Sequence, residues 1–490
     1  MALPPLSEGR IPDDAFDAMR RENLARWPTG SGVDMDEAAD YLRQLPAHKN
    51  LARVMCEAVA QGRCLTQPRG GFGTFDMHKD LLVTLDQEGL ADVVPTTTDS
   101  YTRNERFAEA QRGSDESEER GRSMLNGFPV VNAGVDKIRE LTAAVNKPVI
   151  ALTGTSFPRL TGEICYAGGF TGYLGSGIAY TTSYTKETSV AEGIRNYQYL
   201  DRLVARYGEM GVALHRRQPG FLTGTNIPPC VAIAICIADA LLAAAQGVKQ
   251  YGLELGQCLH LVQDAVAIDV CQDLTQSYLR AKGYEDVFTS VTSLHWMGAW
   301  PTDRAQSFGL MVYGGFAGAV GGAVSVTTKS VAEAMGIPTP EENAEGLRAT
   351  RMGIYLARNV CLRDLPEYLR EKEVLETEVR AIVDTVLEAG DGDVAVGTMR
   401  ALEAGLLDVP WSPNRECKSA LMPARDGDGY LRMVDTGALP LPDEVKQYHR
   451  DRLQTGAANA GKTYGPDLAI DSVYEISEEI STLMPNLTVK

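Results

Sequence analysis

The sequence predicts an α/β protein built on a closed (β/α)8 barrel, with a helical extension before it and an α+β appendage after it. Short β-leaning runs alternate with amphipathic or apolar helices from about residue 64 to about residue 340. Repeated β-then-α order calls for a parallel sheet covered by helices. The number of units, about eight, favours closure into a barrel over an open doubly wound sheet.

Taken in order, the first segment, 1–62, reads as helices: DDAFDAMRRENLARW, then DMDEAADYLRQL after the turn Pro28-Thr29-Gly30. The barrel is assigned to 63–345. Its strand candidates begin near Cys64, Val93, Val130, Val149, Ile178, Val212, Tyr251, Val287 and Val324. These exceed eight by one, so one of them is an additional strand or a loop. The separating helices include VDKIRELTAAV, SVAEGIRNYQYLDRLVARYGEMG, CVAIAICIADALLAAAQG and CLHLVQDAVAIDVCQDLTQSYLRAKG. The last segment, 346–490, holds a long helix, PEYLREKEVLETEVRAIVDTVLEAG, and a hairpin, SALMPARDGDGYLRMV. Asp426-Gly427-Asp428-Gly429 opens like a calcium loop but lacks the later acidic ligand, and D-G dipeptides favour a tight turn. The acidic run Asp115–Glu119 reads as a solvated helix face.

Composition narrows the functions available. A formal charge of −18 with no Lys/Arg cluster excludes a nucleic-acid partner, which needs a basic face. No run of about 18 apolar residues is evident and the N-terminus has no signal-peptide pattern, so a cytoplasmic protein is expected. The nine cysteines include no C-x-x-C, and the six histidines fall in no H-x-H or H-x-x-x-H arrangement, so no metal site is expected. Phosphate-loop and nucleophile-elbow motifs are absent, and Tyr180 interrupts the glycine pattern begun at Gly175-Ser176-Gly177. The stretch GGFAGAVGGAV from Gly314 reads as close backbone packing. What remains is polar: Arg69, Arg103, Tyr180, Tyr184, His295 and Lys329 fall where strands end, the end at which a barrel places its active site. A cationic and phenolic mouth suits a small anionic substrate.

Longer stretches carry a more specific signal. RWPTG (26–30), QPRGG (67–71), SYTRNERF (100–107), MLNGFPVVNAGV (124–135), LTGTNIPP (222–229), HWMGAWP (295–301), KSVAEAMGIPT (329–339) and LMPARD (421–426) occur in this order. Together they resemble the epsilon subunit of glutamate mutase (methylaspartate mutase) over nearly the whole chain. The resemblance implies a TIM barrel, an isomerase that rearranges a carbon skeleton through radicals, and adenosylcobalamin as coenzyme. It also implies a homodimer of this chain flanked by small cobalamin-binding subunits that supply a D-x-H-x-x-G motif. Here the D-x-H is Asp76-Met77-His78, with Leu81 where the motif needs glycine, so the corrin is expected on the partner.

Site residues follow from the same resemblance. Lys329 and Glu333 match a pair that holds the adenosyl ribose; residues of their types, spaced by four, would otherwise read as a helix ion pair. Gly71, Asn126, Ser183, Trp300 and Ile337 fall at other coenzyme-contacting positions, Ser183 in place of a proline and Trp300 in place of a phenylalanine. Arg69 and Arg103 match two of three arginines that grip substrate carboxylates, work for which the planar guanidinium fork is suited. Tyr180 and Tyr184 match two cavity tyrosines. The chain departs from the family at Leu152 (the third arginine), Thr153 (a histidine), Leu174 (a glutamate that receives the substrate ammonium), Ile150 (a glutamine) and Leu294 (a histidine, which the adjacent His295 is placed to replace). These exchanges imply a refit of the amino-acid end of the pocket towards a less polar or masked substrate. Two other readings are a catalytically inactive barrel that scaffolds the cobalamin partner, and an unrelated lyase or aldolase using Lys329 as a Schiff base.

Overall fold

The computed structural model of the chain describes residues 5–221 and 223–481; of the run LTGTNIPP, Leu222 therefore lies outside the described residues. Eight strands form one sheet: β1 Leu65–Pro68, β2 Val94–Thr97, β3 Val149–Leu152, β4 Gly172–Leu174, β5 His215–Arg217, β6 Gln250–Gly256, β7 Phe288–Leu294 and β8 Ser325–Thr328. From β2 to β8 each pairs in parallel with its sequence neighbours, and β8 pairs with β1.

The seam between β1 and β2 closes without a regular ladder, and two prolines explain why. Leu65 N–H bonds the Val324 carbonyl and Val94 N–H bonds the Pro148 carbonyl, so Leu65 and Val94 face away from the seam. Parallel-strand alternation then turns the next odd positions, Pro68 and Pro95, toward it, and neither has an N–H to give. Single bonds close the ring instead: Asp92 N–H to the Thr66 carbonyl (3.0 Å), Thr97 N–H to the Gly70 carbonyl (2.9 Å), and Gly70 N–H to Thr97 Oγ1 (3.1 Å).

Two strand expectations differ from the structure. The run at Val130 opens the helix Val130–Ala144. The fourth strand is Gly172–Leu174, not the segment at Ile178. Ser176 Oγ accepts the N–H groups of Ile178 (3.1 Å) and Ala179 (2.8 Å) and so starts the helix Ala179–Tyr184 there. Three buried residues between glycines are too short a run for alternation to reveal.

The helical extension seals the barrel's N-terminal end. Leu51 occupies the space that a side chain on Gly172 would need, and Thr171 Oγ1 accepts Leu51 N–H (3.0 Å) while donating to the Lys49 carbonyl (3.0 Å). Phe16, Leu42, the barrel helices, Val379 and Leu441 belong to one apolar core. The helix Pro340–Ala357 runs through the expected 345/346 boundary and packs on Arg304–Gly321. Their contact is backbone to backbone: a Cβ on Gly315 would lie 2.1 Å from the Thr350 carbonyl oxygen, so the glycine-rich run serves close packing.

Contrary to the composition reading, one helix, Pro229–Gln246, is long and apolar enough to cross a membrane, but it is 89% buried within the protein. It lies against helices Leu261–Ala281 and Pro366–Ala389. The C-terminal segment adds the hairpin β9 Met422–Arg425 and β10 Leu431–Asp435. Asp426 Oδ1 caps its turn by accepting the N–H groups of Asp428 (3.0 Å) and Tyr430 (3.1 Å).

Candidate active site

The C-terminal ends of the strands surround a cavity of about 60 Å³. Arg69 follows β1 directly. Arg103 ends the short helix Ser100–Arg103, whose start Asp99 Oδ1 caps by accepting Tyr101 N–H (2.8 Å) and Thr102 N–H (3.0 Å). Leu152 and Leu174 are the last residues of β3 and β4 and stand side by side in register. Tyr180 and Tyr184, one helical turn apart, meet edge to face with ring centroids 5.5 Å apart. All six residues line the cavity, with Glu254, Leu294, Met297 and Thr327.

The two arginines make this an anion site. Arg103 Nε donates to the Thr98 carbonyl (2.8 Å), which fixes the guanidinium, and its Nη1 side packs over Gly154. Among the described residues Arg69 Nη1 reaches only the Met297 sulfur (3.4 Å), a weak acceptor. Among the described residues neither forms an ion pair with a carboxylate. Burial holds Arg103 below the usual arginine range; Tyr180 opposes this, and the neighbouring Arg69 charge adds to it. Two cations sharing a partly desolvated space, neither of them ion-paired, gain most when a carboxylate enters between them. Burial also pushes the Tyr180 phenol well above its ordinary value, so it serves as a neutral donor.

The apolar part of the cavity wall is formed by Leu152, Leu174 and Leu294, at the ends of β3, β4 and β7. Thr153 does not face the cavity with a free hydroxyl: its Oγ1 donates to the Leu174 carbonyl (2.9 Å). Ile150 is fully buried in the core. His295 is not positioned to stand in for the residue at 294. Its ring packs on Gly314 of the helix Arg304–Gly321, its Nδ1 lies 3.4 Å from Thr328 Oγ1, and burial pulls its pKa down to about 3.

Two charged residues that the sequence reading passed over stand at the same wall. Arg217, in register with Leu174 on the neighbouring strand, pairs with Glu254 at 3.5 Å. Both are buried, and Glu254 lines the cavity. The available signal was a charged residue inside an apolar strand, Glu254 in GLELG.

At the rim, Lys329 follows β8 on a succession of turns, not on the helix that its spacing to Glu333 suggested. Its Nζ lies 3.4 Å from Glu333 and 4.7 Å from the Trp300 ring centroid. Burial holds the Lys329 pKa below its usual value, with Glu333 opposing. The Trp300 Nε1 is buried without a hydrogen-bond partner among the described residues. Gly71 lets two backbones meet: a Cβ there would lie 2.4 Å from the Thr97 carbonyl oxygen. Asn126 is exposed beside it, bridged to Phe72. Ser183 is half-buried between the two tyrosines, while Tyr184 (50%), Met335 (71%) and Ile337 (39%) leave apolar surface exposed. By contrast, His78 of the D-M-H sequence is fully buried, stacked on Phe128 (4.5 Å) and bonded through Nε2 to Thr96 Oγ1 (3.0 Å).

Comparison with known proteins is consistent along the chain. Residues 45–482 match the family model "Methylaspartate mutase E chain (MutE)". The glutamate mutase epsilon subunit of Desulfitobacterium hafniense is 42% identical over 473 residues, covering 96% of this chain and 98% of that protein. The epsilon subunit of Treponema denticola is 40% identical over 96% of this chain and 97% of its own length. That of Haloarcula marismortui is 40% identical over 96% and 95% respectively.

Proposed function

The chain belongs to the methylaspartate mutase E chain family, and from that premise we propose how its barrel performs the work of a mutase's catalytic subunit. It is an isomerase of the intramolecular-transferase kind, of the glutamate/methylaspartate type. The family depends on coenzyme B12 and implies a second, sigma-type subunit.

The coenzyme is adenosylcobalamin, with its corrin held by that small subunit through a D-x-H-x-x-G motif. The burial of His78 against Phe128 and Thr96 supports this, because that imidazole has no route to a cobalt ion. When bound, the coenzyme supplies a carbon radical that takes a hydrogen atom from the substrate. The rim fits its adenosyl group. Glu333 offers a carboxylate to the ribose hydroxyls, Lys329 offers a donor held over the Trp300 ring, and the Gly71 ledge leaves room for a close approach. Asn126, Ser183 and Ile337 complete the contact. The exposed apolar rim at Tyr184, Met335 and Ile337 is where the partner would exclude water. The assembly is a homodimer of this chain flanked by two small subunits.

Within the cavity the chain positions the substrate and keeps water away from it. Arg69 and Arg103 hold one carboxylate, and Tyr180 and Tyr184 wall the space beside them. Leu152, Leu174 and Leu294 receive the rest of the molecule. A second carboxylate against those leucines would be buried beside the Glu254 carboxylate, at a cost of several kcal/mol, roughly. The substrate is therefore an acid that, unlike free glutamate, presents no second carboxylate at that end. The carrying observation is a guanidinium pair and three leucines lining one cavity. A catalytically inactive scaffold would gain nothing from two uncompensated cations there.

Reconstitution with the cobalamin subunit tests the reading. A cob(II)alamin EPR signal is expected that requires both the partner and a carboxylic acid, from a panel that includes glutamate and 3-methylaspartate. Absence of a partner-dependent signal across the panel overturns it, as does borohydride trapping at Lys329 without coenzyme. The leucine wall has its own test: Leu152→Arg with Leu174→Glu is expected to raise kcat/KM for glutamate about 100-fold, equivalent to about 2.7 kcal/mol. Efficient glutamate turnover by the unmodified protein, not improved by these changes, sinks the idea of a refitted pocket.

A further inference from the structure

The apolar wall of the cavity is interrupted by one carboxylate, and its surroundings say what it is for. Glu254 lies in the middle of β6 with Leu253 and Leu255 on either side, and alternation turns it into the barrel while they turn outward. Its Oε1 accepts Gly220 N–H (3.1 Å), its Oε2 accepts the Thr327 hydroxyl (2.7 Å), and Arg217 Nη2 lies 3.5 Å from Oε2. A carboxylate has about four acceptor positions, so at least one remains open to the cavity that it lines. The Arg217 pairing is loose: its Nε and Nη2 are buried and make no hydrogen bond among the described residues. A buried carboxylate with a loosely held counter-ion costs stability unless a ligand completes its bonding.

The position of this pair matters as much as its chemistry. Arg217 stands in register with Leu174, and Glu254 lies on the next strand around the barrel. One cation therefore stands beside the place where Leu174 presents an aliphatic group, with one anion a strand further on. We propose that Glu254 determines specificity in this cavity: its carboxylate receives an amino or other N–H group of the substrate while Arg69 and Arg103 hold the carboxylate. The substrate class is an amino-substituted acid with one gripped carboxylate, its nitrogen directed to β6. This assignment rests on the anion-site reading above and deepens it.

Binding to the isolated, full-length chain tests it, using butyrate and its 2-, 3- and 4-amino derivatives as probes, titrated by NMR. At least one amino derivative is expected to bind tenfold or more tightly than butyrate. In Glu254→Gln that advantage falls below twofold, while butyrate binds at least as tightly as before because a negative charge has left the cavity. Glu254→Gln leaves Arg217 without its partner, so the double variant Glu254→Met/Arg217→Met, which removes the pair as a unit, is measured beside it and is expected to lose the same advantage. Equal binding of all four acids by the unmodified chain overturns the proposal, and so does an advantage that persists in both variants. Failure of every acid to bind overturns it together with the anion site. The EPR screen failing while the amino advantage holds would remove the mutase mechanism and leave the Glu254 assignment standing.

Discussion

Replacing Arg103 with glutamine lowers kcat/KM of the reconstituted mutase by about 1,000-fold while leaving the melting temperature of the chain unchanged or higher. The size follows from the bonds lost. The guanidinium is anchored through Nε on the Thr98 carbonyl and keeps its terminal nitrogens for a ligand. Loss of a desolvated guanidinium–carboxylate pair costs on the order of 4 kcal/mol, and lysine, a point charge without the fork, recovers only part of it. The stability sign separates a binding residue from a structural one. Burial and the Arg69 charge both work against the Arg103 cation, so the ligand-free fold gains when that charge is removed. Steady-state kinetics with the best acid found by EPR, paired with thermal melts, reads both. Parallel falls in activity and melting temperature would instead assign Arg103 to the scaffold.

The barrel was legible because β6, β7 and the long helices that follow them are extended enough for their pattern to speak. β4 was not, because Gly172–Leu174 is three residues long and the β-branched Ile178 just before the next helix reads as a strand, whereas Ser176 accepts its N–H and that of Ala179 and starts the helix there. Lys329 and Glu333 illustrate the reverse error. Four-residue spacing suggests a helix, yet the pair meets on consecutive turns, where a chain folding back on itself also brings such positions together. The anion site was readable from where arginines fall at strand ends, reinforced by the family resemblance. Arg217 and Glu254 were missed for a physical reason. A charge inside a strand is ordinarily expelled to solvent, and only the barrel's closure reveals that both faces are buried and that Glu254 opens onto a cavity. His295 failed for the same reason seen from the other side: one step along β7 reverses the direction of a side chain, so the neighbour of a cavity residue faces the helices.

The same reversal places Arg216 on the outer face of its strand. Arg216, adjacent to Arg217, points out of the barrel into the helix layer, where its Nε bonds Asp201 (2.6 Å) and both groups are buried. Its other nitrogens donate to the carbonyls of Tyr173 (2.9 Å) and Gly175 (3.1 Å), and the Tyr197 ring lies 5.3 Å away. One side chain thus ties β4 and the turn after it to the helix Val190–Glu209, and that turn leads into Tyr180 and Tyr184. Arg216→Met is expected to lower stability by about 3–5 kcal/mol at neutral pH, because Asp201 is left buried without its partner. Burial already holds the Asp201 pKa above its ordinary value against the pull of Arg216; removing the arginine raises it further. A carboxyl whose folded pKa exceeds its unfolded one favours folding most below the unfolded value, and that contribution is lost as pH rises through the folded value. The deficit of Arg216→Met is therefore smaller at pH 5 than at pH 8. Arg216→Met/Asp201→Leu, which removes both charges, recovers most of the loss and abolishes its pH dependence. Urea-unfolding midpoints of the three proteins at the two pH values decide it. A double variant no more stable than the single one would shift the anchoring from the ion pair to the carbonyl bonds of Tyr173 and Gly175.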